Sequence, residues 1–207
     1  MRGEMAVETP ELTVRDASAW RAWLDENHRE QGGVWLVLAK KGTTEPTSLT
    51  YDEALEEALC HGWIDGQTRR RDDATYLQRF TPRRPKSIWS QVNRDHVARL
   101  AAAGRMTPHG QKHVDAAKAD GRWDAAYAPI RSVSPESLPA DLRASIEVNP
   151  RARKTFATLN RTNLFALAFR TNNMKTPAGR AKKIAELVAM LARGETIVPN
   201  GQRKLRR

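Results

Sequence analysis

The chain reads as an α+β protein, with a small antiparallel sheet and helices in residues 1–130 followed by an all-helical module in residues 131–207. Three observations predict this class. VWLVLAKK, directly after Gly32-Gly33, is a short apolar run rich in Val and Trp, the pattern of a largely buried strand. WIDGQTRRRDDATYLQRFTPR places two strand-like runs around a polar turn at Arg71-Asp72-Asp73, a hairpin with Ile64, Tyr76, Leu77 and Phe80 as core contacts. After Tyr127 the composition changes: APIRSVSPESLPADL holds three prolines and three serines, as a connector does, and the segment beyond it is helical in pattern.

Taken in order, ASAWRAWLDENH sets Ala19, Trp20, Trp23 and Leu24 at helical spacing behind Asp16 or Ser18 as a cap. The buried strand follows, then a loop at TTEPTS. Thr50 and Glu53 form a capping box, and Leu55, Ala58 and Leu59 face inward on a helix ending near Gly62. After the hairpin, Pro85 and Ser87 mark a helix start, with Trp89, Val92, His96 and Leu100 as its apolar stripe and Gly104 as its stop. Thr107 and Pro108 open the next helix, which runs to Gly121. Residues 139–194 read as three helices that bury Leu142, Ile146, Phe156, Leu159, Leu164, Leu167 and Phe169. The last begins at Thr176-Pro177, carries Ala181, Ile184, Val188 and Leu191, and stops at Gly194. GQRKLRR has nothing to bury and is expected to be a mobile basic tail.

At 207 residues and 40% hydrophobic content the chain can bury a packed core, which argues against disorder throughout. The single cysteine, Cys60, excludes an intramolecular disulfide framework and a multi-Cys zinc cluster and fits a reducing compartment. MRGEMAVETPELT is acidic without an apolar core, and no run approaches a membrane span, so a cytoplasmic location and no membrane partner are expected. The net charge of +11 is unevenly spread: residues 1–65 carry 6 Lys/Arg against 13 Asp/Glu, residues 66–105 carry 10 against 3, and residues 131–207 carry 16 against 5. A basic middle and end suit an anionic partner, small or polymeric, because summed positive potential concentrates anions.

The successive words ALCHGWIDG, FTPRRPKSIWSQVNR, AAGRMTPHG and GRWDAAY resemble those of the YdeI/OmpD-associated family, also called bacteriocin-protection proteins, from about Trp20 to Gly194. The resemblance is carried by Gly62, Trp63, Ile64, Asp65 and Gly66, then Phe80, Pro82, Arg83, Arg84, Ser87, Trp89, Ser90 and Asn93, then Gly104, Met106 and Thr107. It implies a helical C-terminal module of OmpD-associated type, a smaller α+β part, and a role in bacterial stress or antimicrobial protection. It implies no reaction, cofactor or catalytic residue. His61 departs from the family pattern, where an aromatic residue is common, which puts in doubt any fixed chemical role at that position.

Within FTPRRPKSIWSQVNR, a helix starting at Ser87 would leave unpaired amides and the positive end of its dipole beside Arg83, Arg84 and Lys86, a seat for phosphate or carboxylate. Trp63 and Trp89 would wall it, and Asp65 with Asn93 would orient the ligand. The competing account makes Ser87 a plain cap, Trp89 a core residue and the arginines partners of nearby aspartates. Asp65, between Ile64 and Gly66, reads either as a buried acid or base or, more commonly for such a residue, as the partner of Arg79, Arg83 or Arg84.

Cys60 and His61 are adjacent on a helix and so point about 100° apart, which disfavours a nucleophile and base. His109 and His113 stand i, i+4, but Gly110 replaces the acid of a zinc protease motif and no third ligand is signalled, so no metal or cofactor is expected. The preferred reading is a non-catalytic or weakly catalytic protective protein that binds a small anionic or aromatic ligand. The alternatives are a nucleic-acid-associated stress protein using the basic middle and end, and an enzyme with Asp65 as acid or base.

Overall fold

A computed structural model describes residues 9–30 and 32–200. The chain divides between Ala126 and Tyr127 into two compact units, each with its own buried cluster. The expected tail, GQRKLRR, lies outside the described residues.

The first unit is α+β. Its elements are β1 (Glu11–Leu12), α1 (Ala17–Asn27), β2 (Val34–Ala39), α2 (Tyr51–Cys60), β3 (Trp63–Arg70), β4 (Thr75–Pro82), α3 (Gln91–Ala102) and α4 (Pro108–Ala119). The four strands lie in the order β1-β2-β4-β3, with β1 parallel to β2 and the other pairs antiparallel. The apolar run VWLVLA becomes β2, which has a neighbour on each side and buries all six residues. Val34, Leu36 and Leu38 join Trp20, Leu24, Leu55, Leu59, Trp63 and Phe80 in the core beneath α1 and α2. The predicted hairpin is β3 and β4, closed by residues 71–74; Asp72 ties its tip by accepting from the Ala74 and Thr75 amides. β1 was not anticipated, because two residues are too short to show a period.

Local chemistry sets the helix ends. Asp16 accepts from the Ala19 amide, and Thr107 accepts from the Gly110 amide ahead of Pro108. The Thr50–Glu53 capping box forms, with the Thr50 amide 2.9 Å from the Glu53 carboxylate. Thr50→Ala is expected to cost about 1 kcal/mol. The measurement is a shifted denaturation midpoint followed by tryptophan fluorescence. A change within about 0.3 kcal/mol would show that the cap is dispensable.

Two expectations fail here. The helix expected at Ser87 starts at Gln91 instead, capped by Ser90, whose hydroxyl accepts from the Asn93 amide. Ser87 is spent on a turn: its hydroxyl accepts from the Arg84 amide at 3.0 Å, and its own amide donates to the Arg84 carbonyl at 2.9 Å. The helix phase changes accordingly, so that Asn93, Val97 and Leu100 are buried, while Val92 and His96 are only partly so.

The second unit is helical: α5 (Ala140–Glu147), α6 (Pro150–Phe156), α7 (Arg161–Asn172) and α8 (Pro177–Ala192). It holds four helices where three were expected, because Asn149 accepts from the Ala152 amide and Pro150 occupies the first helical position, restarting the helix after Val148. The proline-rich segment forms two short 3₁₀ turns and sends Val133 and Leu138 into this unit's core, beside Leu142, Ile146, Leu164, Leu167, Ile184, Leu187 and Leu191. Phe156 and Leu159 pack at its edge, and Phe169 meets Tyr127 edge-to-face and Phe165 at a tilt. On α8 the buried stripe is Ile184, Leu187 and Leu191; Ala181 faces outward and Val188 is half-buried. No described helix is long and apolar enough to cross a membrane.

Candidate functional site

The site grows from the end of β4. Gly33 has φ +69°, and a Cβ there would lie 2.3 Å from the Phe80 carbonyl oxygen, so only glycine lets the segment before β2 press against β4. That approach brings the Gly32 carbonyl within 2.7 Å of an Arg79 guanidinium nitrogen. Arg79 also donates to the Thr9 hydroxyl and lies 5.6 Å from the centre of the Trp35 ring. Beyond Pro82 the chain turns at Pro85-Lys86, and the turn held by Ser87 fixes the backbone of Arg84. Gly32, Arg79, Thr81, Pro82, Arg83 and Arg84 line one small cleft of about 170 Å³.

The two neighbouring arginines play different parts. Arg83 is 5% exposed. Its guanidinium carbon sits 3.6 Å from the centre of the Trp89 ring, one nitrogen donates to the Ile88 carbonyl, and its backbone amide donates to the Gly62 carbonyl at 2.9 Å. Arg84 is exposed, and among the described residues no carboxylate pairs with it. Arg83 thus forms the rear of the cleft and Arg84 its rim.

Several residues expected at the site lie elsewhere. Trp63 and Trp89 are core: Trp63 is fully buried, with its indole donating to the His28 carbonyl, and Trp89 is 2% exposed beneath Arg83. Neither offers a free ring to a ligand. Asn93 is buried in the first turn of α3, and Ser87 is a turn residue rather than a helix cap. Asp65 does not pair with Arg79, Arg83 or Arg84; it accepts from the Tyr51 hydroxyl at 2.9 Å. The register explains this. Asp65 lies opposite Phe80 and so shares the face that carries the core, whereas Arg79, one residue away on β4, projects from the other face. Burial, and then the Asp65 charge, push the Tyr51 phenol well above its ordinary range.

Behind the cleft stands a group of histidines. Gly62, at φ +75°, packs so closely that a Cβ would lie 2.5 Å from the His113 ring. The His28 and His109 rings meet at a tilt of 43°, with centres 3.7 Å apart. His61 is buried, with Nε2 2.9 Å from Asp25 and Nδ1 2.7 Å from the Glu57 carbonyl oxygen. Burial, followed by the charge of Arg83, pushes the His113 imidazole below its ordinary value; burial and His28 do the same to His109. Cys60 is buried and its thiol is pushed up to about 11, chiefly by burial, leaving it un-ionised at neutral pH. Among the described residues no three His, Cys, Asp or Glu side chains are grouped to hold a metal ion.

The reading of the sequence identified Arg79, Arg83 and Arg84, three of the cleft's lining residues, but not Gly32 or Thr81. The Gly32-Gly33 pair carried a signal: consecutive glycines beside a strand mark a close backbone approach as well as a break. The histidine group had no such signal, since its members are dispersed from residue 28 to residue 113.

Comparison with known proteins divides the chain in a similar way. Residues 12–113, from β1 into α4, match a domain described as Domain of unknown function (DUF8412). The words that carry the resemblance in the sequence fall mostly within that segment. No curated protein and no solved structure matches the chain. Residues 137–194, which span α5 to α8, match the family described as Bacteriocin-protection, YdeI or OmpD-Associated, the family that the sequence words resemble.

Proposed function

We propose that the protein is a cytoplasmic protective protein whose N-terminal unit binds a small anion in the cleft of Arg79, Arg83 and Arg84, without a covalent step. The observation that supports this reading is a single cleft lined by three arginine residues, from one strand and the loop after it. Guanidiniums present forked donors that match the oxygens of phosphate, sulfate or carboxylate. The cleft's volume of about 170 Å³ favours such a headgroup over a drug-sized or aromatic molecule, for which pockets of roughly 300 Å³ and above are usual. Because Trp63 and Trp89 are committed to the core, the proposal is confined to the anion. The cleft offers charge and donors, and the chemistry it supports is electrostatic capture.

Arg84 is the residue to test, since it is exposed and its removal leaves the core untouched. Titration calorimetry with inorganic phosphate should show Arg84→Ala binding at least about tenfold more weakly than the parent, the loss of one charge-assisted contact. The melting transition should stay within about 0.5 kcal/mol of the parent. Equal affinity in parent and variant would refute the cleft as the site.

A further inference from the structure

Four of the five histidines stand together behind the anion cleft, at the meeting of α1, the α2–β3 turn and α4. The link to the cleft is short. The His113 ring packs on Gly62, and the Gly62 carbonyl accepts from the backbone amide of Arg83, one of the residues that line the cleft. We infer that anion binding at this cleft is coupled to protonation of His113, so that the protein takes up a proton together with its anion. This inference rests on the anion reading given above.

The charges around His113 point one way. After burial, the positive charges of Arg83, which follows β4, of Lys112 on α4 and of Arg122 beyond α4, together with His109, all act against a charge on it. His109 in turn meets His28 and Arg29 at the end of α1, with Lys112 and His61 nearby. The carboxylate noted in this group, Asp25, is engaged by His61. A proton on His113 is therefore opposed by burial and by cations, which hold its imidazole below its ordinary value. An anion beside Arg83 cancels part of that opposition. The His113 value then climbs back, and by linkage the anion binds more tightly to the protonated form. The same arrangement governs folding. A base whose folded value is depressed stabilises the fold fully above its unfolded value, and that contribution is lost as pH falls toward the folded value.

Inorganic sulfate is the suitable probe because it stays doubly charged from about pH 8 to about pH 5, the range in which histidine titrates. Its affinity for the full chain, read by calorimetry, should rise roughly tenfold over that fall in pH. His113→Asn should bind sulfate as the parent does at about pH 8 but change by less than about twofold on acidification. In the parent, the His113 imidazole signals followed by NMR should titrate at higher pH with sulfate than without it, a readout that survives if the variant folds poorly. Sulfate binding that depends on Arg84 but is flat with pH, or a slope retained by His113→Asn, would overturn the coupling and leave the cleft standing. Absence of sulfate binding altogether would overturn both.

Discussion

Arg83→Ala is expected to lower the stability of the N-terminal unit by about 2–3 kcal/mol, whereas Arg84→Ala, one residue away, changes it by less than about 0.5 kcal/mol. The contrast follows from burial. Arg83 is 5% exposed and lies flat on the Trp89 ring at 3.6 Å, so truncation removes a desolvated cation–π contact and leaves a void against a ring that is itself 2% exposed. Arg84 extends into solvent from a turn held by backbone and Ser87 contacts, none of which involves its guanidinium. All six tryptophans lie before residue 127, so fluorescence-monitored denaturation reports this unit alone. Similar losses in both variants would mean that Arg83 acts as a surface residue. Arg83→Lys separates charge from shape: it keeps the cation but lacks the planar group that covers the indole, and should recover less than half of the loss.

What the sequence disclosed, and what it withheld, follows from the range of the interactions involved. The Thr50–Glu53 capping box, the Thr-Pro starts at Thr107 and Thr176 and the hairpin tip are settled by residues within four positions of one another, so they were legible. The start of α3 was misread because Ser87 and Ser90 are both competent caps. The choice between them was made by the turn that Pro85 and Lys86 impose and by the burial of Trp89, a tertiary matter. α6 was missed because seven residues are too few to show a clear apolar period, although Asn149-Pro150 announces its start.

The candidate site divides in the same manner. Arg79, Arg83 and Arg84 line one cleft because they are near neighbours in sequence and share the end of one strand. Their side-chain environments were not legible. Nothing local says that Arg83 turns inward onto Trp89 while Arg84 turns out, and nothing near Asp65 names Tyr51, 14 residues earlier, as its donor. The register of β3 against β4 decides which face Asp65 occupies, and register is a property of the pair of strands.

Gly62→Ala should be a severely damaging methyl addition beside the histidine group, costing about 3 kcal/mol. Two effects combine. The backbone there has φ +75°, a conformation that costs a residue bearing a Cβ roughly 1–2 kcal/mol. The new methyl would also lie 2.5 Å from the His113 ring and 3.2 Å from the His109 carbonyl oxygen, an overpacking that costs on the order of 1–3 kcal/mol. The two are separable by a double-mutant cycle. In a His113→Ala background the ring is gone, so Gly62→Ala should cost only the backbone part, about 1–2 kcal/mol, and the pair should show clear non-additivity. Equal costs in both backgrounds would show that the ring yields freely and that strain in the backbone is the whole effect. Because the Gly62 carbonyl also holds the Arg83 amide, any shift of this turn carries into the cleft. Gly62→Ala should accordingly weaken anion binding several-fold in whatever fraction remains folded, whereas the Thr50→Ala cap variant, on the far end of α2, should leave that affinity unchanged.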